Sequence, residues 1–276
     1  MSVLDNAQQY ERYILARCPF HDDKNPSLLC FADGWFRCLG CQRSGTWKTL
    51  WNKVHGQPVQ VRPDVDVHWK GPNIQDQLAE EIAYQANDDL MRFGSLGWYL
   101  EMRGLEPMIE RAYLGYWKGW YTIPIFDSQY NVKNVCYRSS PPVQEVQGTR
   151  YWYRGTPYLY VPDWNLLRDK SNYVVVTYGM LDALTLALMG IPAASPSNGQ
   201  ESFDPAWMNE IRRPIYMLPD QDEERLAFQH AGQLGWRGNV VLLDWQSGIK
   251  DPNDFLAHGK RQELESQLQQ RIKEYE

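Results

Sequence analysis

Tyr173-Val174-Val175-Val176-Thr177-Tyr178-Gly179-Met180-Leu181-Asp182-Ala183-Leu184-Thr185-Leu186-Ala187-Leu188 decides the fold. A run of β-branched residues breaks at a glycine and gives way to apolar helix formers. The segment therefore predicts a buried strand, Tyr173–Thr177, that turns into a helix, Leu181–Leu188. The pattern recurs downstream: strands are expected at Ala193–Ser195, Ile215–Leu218 and Val240–Leu243, and helices at Pro205–Ile211, Glu224–Leu234 and Pro252–His258. Strands separated by helices of this length imply βαβ crossovers and a mainly parallel sheet flanked by helices. Lys260 to Glu276 reads as a polar, helix-forming tail.

Upstream the character changes. Tyr121–Phe126 and Val132–Tyr137 read as short strands joined by a turn at Asp127–Asn131, so a β-rich subdomain is expected. Before it, Leu78, Ile82, Leu90 and Phe93 recur at helical spacing and predict a small helical lead-in. Earlier still, His55 to Pro72 is rich in Pro, Gly, Val and Gln and reads as a linker.

With 276 residues the chain is long enough for two or three compact units, and its 43% hydrophobic and 22% charged content excludes wholesale disorder. Its longest apolar runs fall far short of the roughly 20 residues of a membrane span, and the N-terminus lacks a signal-peptide pattern, so a cytoplasmic location is expected. A net charge of −6 argues against coating nucleic acid with the whole surface, which leaves a local patch.

Five cysteines, mostly before residue 42, do not suit a disulfide framework. Cys18-Pro19-Phe20-His21 and Cys38-Leu39-Gly40-Cys41 instead form C-x2-H and C-x2-C pairs, each able to turn two ligands toward one tetrahedral zinc ion. Three thiolates and one imidazole make a closed structural site. Cys30, between the pairs, reads as a packed strand residue, and Cys136 as core.

Cys18 to Leu29 and Gly34 to Gly45 together resemble the zinc-binding domain of bacterial-type (DnaG-type) DNA primases: Cys-Pro-Phe-His, a Lys-x-Pro-Ser turn, then an aromatic-flanked Cys-x2-Cys and a glycine. Val174 to Leu184 resembles the first strand, turn and helix of the TOPRIM domain, Lys250 to Leu256 the closing motif of primase TOPRIMs, and Arg154 to Tyr160 the segment before it. The resemblance implies α+β and α/β domains in the order zinc ribbon (1–55), linker (56–73), α+β subdomain (74–170), TOPRIM-like mainly parallel sheet (171–259) and C-terminal helix (260–276).

Pro219-Asp220-Gln221-Asp222 follows an expected strand, where ligands of open α/β sheets bind. Alone, D-x-D suits a solvated turn and helix cap as well as a metal site. The resemblance makes Asp220, Asp222 and Asp182 the expected catalytic ligands of Mg²⁺ or Mn²⁺, with Asp254 nearby. Where the family carries Glu-Gly, however, this chain has Tyr178-Gly179, and a neutral phenol is a poor magnesium ligand. Glu223-Glu224-Arg225 also replaces the small residue and glycine that commonly follow Asp-x-Asp.

Between Arg111 and Arg154 the sign of charge reverses: Arg111, Lys118, Lys133, Arg138, Arg150 and Arg154 stand against Asp127 and Glu145. Interleaved rings, Tyr116, Trp117, Trp120, Tyr121, Tyr130, Tyr137 and Tyr151 to Tyr153, suit either stacked template bases or a subdomain core. In the ribbon, Lys24, Arg37, Arg43 and Lys48 with Phe31, Trp35, Phe36 and Trp47 pose the same choice. Lys250, Arg138 and Arg154 are the candidates for nucleotide phosphates.

The expected activity is primer synthesis from NTPs or dNTPs on single-stranded DNA. No Walker A motif is present, so a separate replicative helicase is the expected partner, and the compact length suits a phage or mobile element. The rival readings are a catalytically degenerate single-stranded nucleic-acid-binding helper and, less favoured, a TOPRIM nuclease.

Overall fold

The computed structural model describes residues 4–9, 13–31, 35–41, 43–46, 50, 53–54, 76–139, 151–152, 156–168 and 172–275. The expected linker at 56–73 lies outside them, as do Lys48, Trp47, Arg150, Tyr153, Arg154 and the side chains of Phe31, Trp35 and Trp152.

The N-terminal unit is an antiparallel sheet in chain order: β1 (Gln8–Gln9), β2 (Tyr13–Ala16), β3 (Leu28–Phe31), β4 (Trp35–Cys38) and β5 (Ser44–Thr46). Its buried set is Cys18, Leu28, Cys30, Phe36, Cys38 and Leu50. So small a core needs a further staple. Cys30 lies in β3 opposite Phe36 as a packing residue, and burial pushes its thiol up to about 12.

The middle unit lays α1 (Asp76–Arg92) on the antiparallel sheet β6 (Gly115–Trp117), β7 (Trp120–Phe126), β8 (Val132–Ser139) and β9 (Tyr151–Trp152), with α2 (Trp98–Met102) and α3 (Met108–Arg111) between. Ala79, Ile82, Ala83, Ala86 and Leu90 form the buried stripe of α1. Contact is close enough that a Cβ on Gly115 would stand 2.5 Å from the Ala86 carbonyl carbon, so only glycine fits. Strand β7 is buried along its whole length, because Trp120 and Phe126 pack under α1 while Tyr121, Ile123 and Ile125 pack toward the second core.

The third unit contains β10 (Leu159–Tyr160), α4 (Trp164–Arg168), β11 (Val174–Val176), α5 (Met180–Leu188), β12 (Ala193–Pro196), β13 (Ile215–Met217), α6 (Glu224–Gln233), β14 (Gly238–Val240), α7 (Pro252–Ala257) and α8 (Arg261–Lys273). Its sheet order is β10-β12-β11-β13-β14, parallel except for the antiparallel edge β10. Val174 and Val176 face Ala227 and Ala231 of α6, whereas Val175 shares the other core with Leu184, Phe255 and Leu268. The chain reverses its direction of winding between β11 and β13, which opens a crevice at their C-terminal ends.

Two expectations shift, and the C-terminal helix is found where it was expected. The helix expected at Pro205–Ile211 is a single 3₁₀ turn, Pro205–Met208, capped by Asp204 accepting from the Ala206 amide. The last parallel strand lies earlier, at Gly238–Val240, where the missing Cβ of Gly238 admits the Ala231 carbonyl of α6. The polar tail is a docked helix that buries Leu264, Leu268 and Ile272, one apolar residue per turn. Among the described residues no helix is long and apolar enough to cross a membrane.

Candidate functional site

In the ribbon, the Sγ atoms of Cys18, Cys38 and Cys41 and a ring nitrogen of His21 lie within 4.8 Å of one another. The Cys18–Cys41 Sγ separation is 3.9 Å, and Cys38 Sγ lies 3.8 Å from His21 Nδ1. A tetrahedral ion with bonds of about 2.3 Å has ligand–ligand edges of about 3.8 Å, so the set fits zinc. Gly40 makes room for the imidazole, since a Cβ there would stand 2.9 Å from His21 Nε2.

Sequence reasoning missed Asp23. It accepts from the Cys18 amide at 2.8 Å and the Ser27 hydroxyl at 2.7 Å, and lies 3.6 Å from His21 Nε2. Burial opposes its ionisation, yet these donors hold its carboxyl below the usual range. A carboxylate so placed orients a ligating imidazole. Of the cations expected to meet phosphate, Lys24 and Arg43 are exposed, Arg43 over the Phe20 ring at 4.9 Å. Half-buried Arg37 instead reaches Met102 Sδ in α2 and ties the ribbon to the middle unit.

The second candidate site lies in the crevice after β11 and β13. Asp182, in the first turn of α5, is 5% exposed and accepts from the Asn253 amide at 2.9 Å. Gly179 leaves room for this carboxyl, because a Cβ there would lie 2.1 Å from Asp182 Oδ2 and displace it. Asp251 caps α7 by accepting from the Asp254 amide at 2.7 Å. Arg103 donates to Asp254 at 3.1 Å and stands 3.9 Å from Asp251. The Gln221 amide donates to the Lys250 carbonyl at 2.9 Å, joining the loop after β13 to the approach to α7. Sequence reasoning missed Asp251 and Arg103; an Asp before Pro reads first as a helix cap, which Asp251 also is.

Burial raises the Asp182 carboxyl well above its ordinary value, helped by the charges of Asp251 and Asp220. Asp220 is pushed up to about 7 by burial, then by Asp251, Glu223 and Asp254. Asp251 is raised by burial and by Asp254, against the pull of Arg103. Asp220 Oδ1 is buried with no hydrogen-bond partner among the described residues. Asp222 is exposed in the same loop, at a left-handed φ of 67°. Among the described residues, the Cys/His group is the set of three or more potential ligands that converges; Asp182, Asp220 and Asp222 do not form a second one.

Tyr178 is buried in the layer under α6, its hydroxyl 2.9 Å from His230 Nδ1. Burial raises the phenol and lowers the imidazole, so both stay neutral near pH 7. Arg138 is buried in β8, donates to the Tyr99 hydroxyl at 2.9 Å and lies 4.5 Å from the Tyr151 ring centroid. Lys250 is exposed beside the crevice. Trp120, Tyr121 and Tyr137 are core residues, as is Phe36 in the ribbon, whereas Tyr130 is exposed.

Residues 5–57 match the CHC2 zinc finger family of DnaG-type zinc ribbons. A comparison with curated proteins found no match. The fold is similar to the zinc-binding and RNA polymerase domains of the Aquifex aeolicus primase, with TM-score 0.55 and 16% identity over 96% of this chain and 80% of that one. It is also similar to a DnaG primase catalytic domain bound to ssDNA (0.57; 17%; 70% and 77% covered). A third similar structure is the RNA polymerase domain of the Mycobacterium tuberculosis primase DnaG (0.57; 13%; 72% and 83% covered). The chain thus joins a CHC2-type zinc ribbon to a body with the fold of DnaG-type primase catalytic cores.

Proposed function

We propose that this protein is a DNA primase-like nucleotidyltransferase that binds single-stranded DNA and joins NTPs or dNTPs into short primers. The observation that carries the reading is the orphaned Oδ1 of Asp220, buried near Asp182 and Asp251 at the ends of parallel strands. Carboxylates crowded out of water in this way attract a cation. Asp182 and Asp220, with Asp222 from the exposed loop, are the residues that would hold Mg²⁺ or Mn²⁺. Such an ion would lower the pKa of a 3′-hydroxyl and stabilise charge on pyrophosphate.

In the reaction the 3′-oxygen bonds to the α-phosphorus, its proton passes to solvent, and the α–β P–O bond breaks to release pyrophosphate. Lys250, exposed beside the acids, would meet the phosphates of the incoming nucleotide. Arg138, held by Tyr99 and Tyr151, would act as a fixed positive charge behind them, and Arg154 as a further contact. The ribbon, with structural Zn²⁺ on Cys18, His21, Cys38 and Cys41, would select the template. In this reading 171–259 is a TOPRIM-like domain after the 74–170 subdomain, and a separate helicase delivers the strand.

A second reading, a degenerate single-strand-binding helper, is favoured by one observation: Tyr178, in place of the expected glutamate, is bound to His230. Extension of single-stranded templates with labelled NTPs or dNTPs, in Mg²⁺ and Mn²⁺, separates the two. Short products absent from Asp220→Ala/Asp222→Ala support the primase. Intact zinc-dependent template binding without product supports the helper.

A further inference from the structure

A cavity of about 700 Å³ opens at the opposite end of the parallel sheet from the acids. Arg212 and Arg213, which line it, precede the first residue of β13, while Leu167 and Arg168 precede β11. Asp220 and Asp182 follow the other ends of those strands. At about 3.3 Å per residue, the path from Arg213 to Asp220 spans roughly 20 Å. The cavity is therefore separate from the proposed polymerising site, and nothing in that chemistry uses it.

Two indoles of its lining are held in place. Trp164 donates its indole N–H to the Phe126 carbonyl at 3.0 Å, and Trp207 stands edge-on to Phe203 with centroids 6.2 Å apart. Its rim is cationic: Arg168, Arg212 and Arg213 stand against Glu210, on a chain whose net charge is −6. Arg213 is engaged by the Leu167 carbonyl, whereas Arg168 and Arg212 are exposed. Arg168 lies over the ring of exposed Tyr130 at 5.8 Å, in the turn whose Ser128 and Gln129 complete the wall.

Indoles fixed by their neighbours, beside guanidiniums that remain exposed, match the two needs of an unpaired strand: faces for bases and cations for phosphates. We infer that this cavity is a second strand-binding site, which takes a few nucleotides of single-stranded nucleic acid with phosphates on Arg168 and Arg212 and bases against Trp164 and Trp207. The charge complementarity of the guanidiniums and the two half-buried indoles that line the cavity favour a nucleic acid over a peptide. The site does not depend on catalysis at the acids.

The test is photo-crosslinking of the full-length, zinc-loaded protein to oligo-dT carrying 5-iododeoxyuridine, with adducts mapped by mass spectrometry. Adducts are expected on Trp164, Trp207 or Tyr130, reduced about tenfold in Arg168→Glu/Arg212→Glu and unchanged in Asp220→Ala. The log–log salt dependence of crosslinking at these rings should lose about 0.7 per phosphate contact removed. Trp207→Phe, which keeps a ring, should retain most of the Trp164 adduct and guards against a folding artefact. Adducts confined to the ribbon or crevice, or unmoved by the charge reversal, would overturn the site while leaving priming untouched. Labelling of the same indoles by a photoreactive Asp- and Phe-rich peptide, but not by oligo-dT, would overturn it in favour of a protein partner. Adducts here in a protein that synthesises no primer would sink the polymerase reading alone.

Discussion

The ribbon and the parallel sheet are both assembled from very short strands, yet they are held together by opposite means. Among the described residues the ribbon's hydrophobic cluster has six buried members, two of them thiols of the Cys/His group. The sheet carries helices on both faces and buries Val174, Val175 and Val176 completely. The first has a small core beside four convergent ligand atoms; the second spreads its packing over many side chains. Strand length therefore says little about robustness, and the source of cohesion says a great deal.

Zinc removal is the sharpest way to break this comparison. Chelation, or Cys38→Ser, should unfold residues 1–55, because structural zinc contributes about 10–16 kcal/mol in comparable small sites. Proteolytic cuts should appear in the ribbon and not in 172–275. Melting of the whole chain would mean that the Arg37–Met102 tie couples the two units strongly. The converse is Leu184→Ala at a fully buried position of α5, expected to cost about 2–5 kcal/mol by urea unfolding while zinc content stays at one per chain.

Smaller effects probe the crevice. Folded Asp220 keeps its proton up to about 7, against an ordinary value of 3.8. Its neutral form favours the native state at low pH, and that advantage is lost as pH rises from about 4 to 7. The metal-free melting temperature should fall across this window, and Asp220→Asn should flatten the fall. Added Mn²⁺ should restore stability above pH 7 in wild type but not in the variant. Smallest is Tyr178→Phe, which deletes the hydrogen bond to His230 and should lower stability by about 1 kcal/mol with no change in zinc content. Tyr178→Glu should raise primer yield if the site is merely weakened by the missing acid.

The two regions were unequally legible in the sequence. Cys18, His21, Cys38 and Cys41 could be read directly, because ligand spacing is local and metal geometry permits few alternatives. The alternation after Ser171 gave the parallel sheet, since a βαβ unit imposes its period on the chain. Strand β10 escaped notice because two residues carry no period, and β14 was expected at Val240–Leu243, two residues late at its start, because a glycine hides the propensity of its first position. Asp251 and Arg103 join the acids only through folding, Arg103 reaching Asp254 across 151 residues, and Asp23 acts through a neighbouring ligand residue. The rings of the middle segment satisfied two patterns at once. Burial assigns Trp120, Tyr121 and Tyr137 to the core and leaves Tyr130 outside.

The two loops of the crevice are stitched by a main-chain bond, the Gln221 amide to the Lys250 carbonyl, while the Asn253 amide is held by the Asp182 side chain. A peptide group is the same whatever side chain it carries. Positions 221 and 250 can therefore drift in sequence while the loops stay aligned, so the architecture outlasts wide divergence in composition. Proline is the exception at position 221, because it removes the donor itself. A saturation library there should tolerate most residues and reject that one, the mutational signature of a scaffold fastened by its backbone.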